Sequence, residues 1–70
     1  MTLEQIQIRL REAIKQSSIS QKEIAKKIGV SPQTVSKYMT QNIFPALDTL
    51  AKLCKMLDVS ADYILGISNE

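Results

Sequence analysis

Apolar side chains recur along this chain every three or four residues, the spacing of helices that bury one face. Leu3, Ile6, Leu10, Ala13 and Ile14 form the inward face of a first helix predicted from Leu3 to Gln16, with Thr2 as N-cap and Gln5 completing a capping box. Arg9, Arg11 and Lys15 fall off that face, as solvating charges or phosphate contacts. Ser17 to Ile19 is a short connection in which Ile19 alone is expected to be buried. Ile24, Ala25 and Ile28 mark a second helix, and Val35, Tyr38 and Met39 a third. A fourth is predicted over Leu47 to Leu57, burying Leu47, Leu50, Ala51, Leu53, Cys54 and Leu57 across a wide face, with Asp48 in its first turn and Asp58 in left-handed geometry at its end. Lys52 and Lys55 are expected to face solvent. Ser60 then caps a fifth helix of one or two turns, with Val59 stapled to Ile64 and Gly66 ending it. The pattern predicts an all-α fold, a compact five-helix bundle forming one domain over residues 1–66, with a frayed tail at 67–70.

The junction between the second and third helices is the most strongly specified stretch. Ser20 and Glu23 have the spacing of a capping box, and Ser31 before Pro32 sets an N-cap with proline at the first helical position. Gly29 between them is free to take the left-handed conformation that ends a helix, and Val30 carries the chain through a tight turn. Ala25 supplies the small residue that two steeply crossing helices need, and the pairs Ile19–Ile24 and Val30–Val35 act as hydrophobic staples at the two helix starts. This is the grammar of a helix-turn-helix.

The third helix carries a second stripe. Gln33, Ser36, Lys37 and Thr40 stand at i, i+3, i+4 and i+7, opposite Val35, Tyr38 and Met39, and no acid falls among them. An ordinary solvated face mixes charges of both signs, whereas amide, hydroxyl and ammonium groups without a carboxylate suit phosphates and base edges.

The stretch from Ser20 to Ser31 resembles the helix-turn-helix of the phage-repressor and Cro-like (XRE-type) family, through Ser20, Gln21, Glu23, Ile24, Ala25, Ile28, Gly29, Val30 and Ser31. The resemblance continues through Thr34, Val35, Ser36, Tyr38, Pro45, Leu47, Leu50, Val59, Ser60, Asp62, Tyr63, Ile64, Leu65 and Gly66, and so covers most of the chain. It implies a lambda-repressor-like DNA-binding domain that lays its third helix in the major groove. Carried over residue by residue, it implies that Gln33 and Lys37 reach base edges with Ser36 beside them, Gln33 reading an adenine, and that Thr40 lies nearer the backbone. Gln21, supported by Lys22, would hold a phosphate at the N-terminus of the second helix. A two-fold homodimer on a near-palindromic operator would form through Phe44, Pro45, Ala61, Tyr63 and Ile64, with Phe44 either exposed for that contact or tucked into its own core.

The chain departs from the family in two places. The loop Gln41 to Pro45 has Asn42, Ile43 and Phe44 where relatives place glycine and several cations, which implies fewer phosphate contacts and a shallower salt dependence. Ile14 and Met39 replace an arginine and a glutamate that pair in similar family members. Both partners have become apolar together, which avoids stranding a buried charge.

Composition narrows the function. Seventy residues at 44% hydrophobic content support one small core, with no separate ligand-binding domain expected. The net charge of +2 is unevenly divided: residues 1–40 sum to +4 and residues 41–70 to −2, so the positive half carries the motif. One cysteine and no signal-like or membrane-spanning stretch lead to the expectation of a cytoplasmic protein without membrane contact. With no histidine, no paired cysteines and no glycine-rich phosphate loop, neither catalysis, a metal, a cofactor nor a small-molecule ligand is expected, and Cys54 reads as a small core residue. The expectation is a sequence-specific duplex-DNA-binding transcriptional regulator, a repressor because one small domain leaves little surface for recruiting polymerase. The alternative is a protein-interaction module on the same scaffold, antitoxin-like or regulator-binding, for which Ile43 and Phe44 speak.

Overall fold

The computed structural model describes residues 2–41 and 43–67. Asn42 of the loop and residues 68–70 of the expected tail lie outside the described residues. Among the described residues five helices follow in order: α1 (Leu3–Gln16), α2 (Gln21–Ile28), α3 (Pro32–Thr40), α4 (Leu47–Leu57) and α5 (Ala61–Leu65).

Serine and threonine cap most of the helix starts. Thr2 accepts from the Gln5 amide at 3.2 Å while the Gln5 side chain accepts from the Thr2 amide at 2.9 Å, a complete capping box. Ser20, Ser31 and Ser60 each accept from the amide three residues on. The box expected of Ser20 and Glu23 is therefore half made: Ser20 caps Glu23, and the Glu23 side chain lines a cleft between α2 and α4 instead. α4 starts at Ala46 without a side-chain cap, and Asp48 Oδ1 accepts from the Thr49 amide at 2.9 Å.

Three helix ends share one geometry. Gly29 (φ 80°), Asp58 (φ 56°) and Gly66 (φ 78°) are left-handed, and the following Val30, Val59 and Ile67 amides donate back to the carbonyls of Ala25, Cys54 and Asp62. These bonds satisfy carbonyls that a helix end leaves open. They also hold Ile67, which the sequence pattern assigned to a frayed tail. α1 ends differently: Ser17 Oγ donates to the Ile14 carbonyl and accepts from the Ile19 amide, and Ser18 takes the left-handed conformation at φ 59°.

Each helix contributes a stripe to one core, with Leu10, Ala13 and Ile14 from α1, Ile24, Ala25 and Ile28 from α2, Val35, Tyr38 and Met39 from α3, Leu50, Leu53 and Cys54 from α4, and Ile64 from α5. No charged side chain is buried among the described residues. Ile6, Ile19 and Leu57 are partly buried against this cluster.

Three expected core residues lie outside it. Leu3 is 63% exposed and Leu47 83% exposed, because each opens its helix and a helical side chain leans toward the N-terminus, here past the last neighbour. Ala51 is exposed because the buried stripe of α4 follows Leu50, Leu53 and Cys54, narrower than the sequence pattern implied.

Candidate nucleic-acid interface

α3 is held on its apolar side by α1 and α2. Val35 is fully buried, and Tyr38 and Met39 nearly so, which leaves the opposite stripe outward. Gln33, Lys37 and Thr40 are exposed and Ser36 is half-buried. The structure thus brings the four expected α3 residues onto one accessible face. Ser31 Oγ lies 2.9 Å from Thr34 Oγ1 at the start of the helix. Thr40 Oγ1 donates to the Ser36 carbonyl at 2.9 Å, which commits its proton to the helix and leaves its lone pairs outward.

Gln21 and Lys22 are exposed at the start of α2. The Gln21 amide donates to Met39 Sδ at 3.1 Å, so this side chain ties the first turn of α2 to the last turn of α3. A thioether is a weak acceptor, and a phosphate oxygen would displace it readily.

Burial explains the two perturbed groups of the core. Removal from water raises the Tyr38 phenol and the Cys54 thiol above their ordinary values, so both stay neutral at physiological pH. A raised thiol pKa is the reverse of what a nucleophile needs.

The residues expected at a dimer surface divide. Phe44, Pro45, Ala61 and Tyr63 are half-buried, so part of each is accessible. Ile64 is 1% exposed and belongs to the core, reaching the surface only as part of the inner wall of a groove. Phe44 and Pro45 line an apolar groove of 180 Å³ whose walls include the exposed Leu3 and Leu47.

Two ties were not foreseen. Arg9 Nη1 donates to the Tyr63 carbonyl at 2.7 Å, and its guanidinium sits 4.7 Å from the centre of the Tyr63 ring, joining α1 to α5. Arg9 is thus a structural clamp, and its position off the apolar stripe gave no signal of a partner so distant in sequence. The Gln7 amide donates to the Gln41 carbonyl and fastens α1 to the end of α3.

Comparison with known proteins decides what this arrangement is. The helix-turn-helix family model matches residues 10–64. The chain belongs to the XRE-type helix-turn-helix family. That family consists of DNA-binding transcriptional regulators and not of enzymes. Among relatives of this XRE-type domain in Bacillus subtilis strain 168, the uncharacterized HTH-type transcriptional regulator YobD is 36% identical over 89% of this chain and 55% of its own length. The HTH-type transcriptional regulator ImmR is 40% identical over 83% of this chain and 46% of its own. The uncharacterized regulator YqaE is 36% identical over 87% and 53%. The XRE-type domain therefore spans about half the length of the curated relatives it matches. No solved structure gives a significant match. Among the described residues no helix is long and apolar enough to cross a membrane.

Proposed function

We propose that this XRE-type domain is a sequence-specific repressor, acting in the cytoplasm as a two-fold homodimer on a near-palindromic duplex operator. The observation that carries the reading is the acid-free face of Gln33, Ser36, Lys37 and Thr40 on a helix otherwise fastened to the core. In this reading Gln33 and Lys37 meet base edges with Ser36 beside them, and Gln33 pairs with adenine N6 and N7. Gln21 and Lys22 hold phosphates and set the register without specifying sequence, and Thr40 joins them by turning its hydroxyl proton from the Ser36 carbonyl to a phosphate oxygen. With few cations on this face, log K should fall only gently with log salt, each neutralised phosphate adding about 0.9 to the slope.

Dimerisation is assigned to Phe44, Pro45, Ala61 and Tyr63, with Leu3 and Leu47 extending the apolar area beside them. Exposed leucines next to an apolar groove favour a self-complementary contact in which each copy covers the other. Repression follows from occupancy of the operator. The test begins with selection of bound sites from random duplex, followed by titration of a full site and a half-site. The reading expects paired half-sites bound cooperatively, and Phe44→Asp should abolish cooperativity while circular dichroism shows a folded protein. Unchanged cooperativity in that folded variant would refute the dimer, and absence of duplex binding at low salt would refute the DNA assignment.

A further inference from the structure

A second feature lies off the DNA-reading helix. Between α2 and α4 is an open cleft of 540 Å³, with Ile19, Ile28 and Met56 along its floor and Glu23, Lys27, Lys52 and Lys55 around its rim. None of these residues belongs to α3. The three lysines are exposed.

Charge is what sets the cleft apart. Residues 41–70 are net negative, and their only two cations, Lys52 and Lys55, both stand on this rim. They lie three apart on α4, so they share one side of that helix. Asp48, Asp58 and Asp62 are not among the lining residues. The rim sums to +2, as much as the whole chain. Charges needed for solubility alone would be interspersed with opposite ones. Glu23, the one acid among the lining residues, stands on α2, so the α4 side of the rim carries only Lys52 and Lys55.

We propose that the α2–α4 cleft docks an acidic amphipathic segment of a partner protein, with apolar side chains laid on Ile19, Ile28 and Met56 and carboxylates facing Lys27, Lys52 and Lys55. A phosphodiester backbone would use the lysines but has nothing to place on an apolar floor, whereas an amphipathic segment satisfies both. Because the cleft and the polar face of α3 share no residue, the segment binds without displacing the operator. The site thus offers a way to bring a second protein to DNA-bound repressor.

The test is a titration of the isotope-labelled full chain, followed by amide chemical shifts. The probe is a synthetic helix-forming peptide of about four turns, leucine on one face and glutamate elsewhere, with a lysine-for-glutamate copy, inorganic phosphate and a short duplex as controls. The glutamate peptide should shift amides around Ile19, Lys27, Lys52 and Met56, with or without duplex present. The double variant Lys52→Glu, Lys55→Glu should weaken it about tenfold while leaving the melting temperature and the ranking of duplex sites unchanged. Equal binding of the lysine peptide, the same shifts from phosphate or duplex, shifts confined to α3 and the start of α2, or no shift at millimolar peptide would each overturn the proposal. Loss of duplex binding would overturn the repressor reading and leave this result standing.

Discussion

At the scale of single residues, Ser18 carries the clearest strain. It is exposed and sits at φ 59°, a region that costs a residue with a β-carbon about 1–2 kcal/mol. Ser18→Gly removes that cost, less about 0.4–1 kcal/mol for the added freedom of the unfolded chain, so the expected result is a net gain of about 0.5 kcal/mol in urea unfolding. Asp58 at φ 56° is better suited to the same geometry, since aspartate enters it more easily. Cys54 belongs to the same scale through its protonation. Its pKa is raised by burial, so above the ordinary thiol value of about 8.5 the unfolded chain has lost a proton that the folded chain keeps. Fewer protons on the unfolded state means stability falls as pH rises through that window, with Tyr38 adding a second fall at higher pH. Cys54→Ala should flatten the first part of that fall between pH 7 and 9.5 in urea midpoints, and an identical pH dependence would contradict the assignment. The glycine signals of helix ends are local, which is why left-handed Gly29 and Gly66 were legible in the sequence. Ser18 was not, because serine does not announce that conformation.

At the scale of elements, α1 and α4 begin and end where the pattern placed them: α1 starts at its Thr2 capping box, and α4, without a side-chain cap at its start, is bounded by its apolar spacing and by left-handed Asp58. Burial of individual residues was less legible. Leu3 and Leu47 fit the apolar spacing yet overhang the ends of their helices, and periodicity alone does not say where a neighbour stops. Arg9 on Tyr63 and Gln7 on Gln41 join positions far apart in sequence, for which no motif exists. The junction of α1 with α3 was legible as chemistry. Ile14 is 2% exposed and Met39 8% exposed, both within the one core cluster, at the two positions where similar family members carry an ion pair and this chain was expected to be apolar. Ile14→Arg should destabilise the fold by several kcal/mol because it buries an unpaired charge, and adding Met39→Glu should recover part of that loss. A double variant no more stable than the single in urea would show that the two side chains do not meet.

At the scale of the whole molecule, one small core fastens α3 by its apolar side and leaves three surfaces free for other work. They are the polar face of α3, the apolar groove beside Phe44 and the basic cleft of α2 and α4. The first was legible because a helical stripe without acids is written in four residues. The groove and the cleft were not, because each is assembled from elements far apart in the chain. The repressor reading rests on α3 reading bases. The measurement that tests this most directly is binding of wild type and Gln33→Ala to a selected operator and to every single-base-pair variant of it. The account predicts that Gln33→Ala loses about 1–3 kcal/mol of discrimination at one A·T pair in each half-site and keeps the wild-type ranking at all other positions. A Gln33→Ala protein that ranks every variant as the wild type does would contradict it.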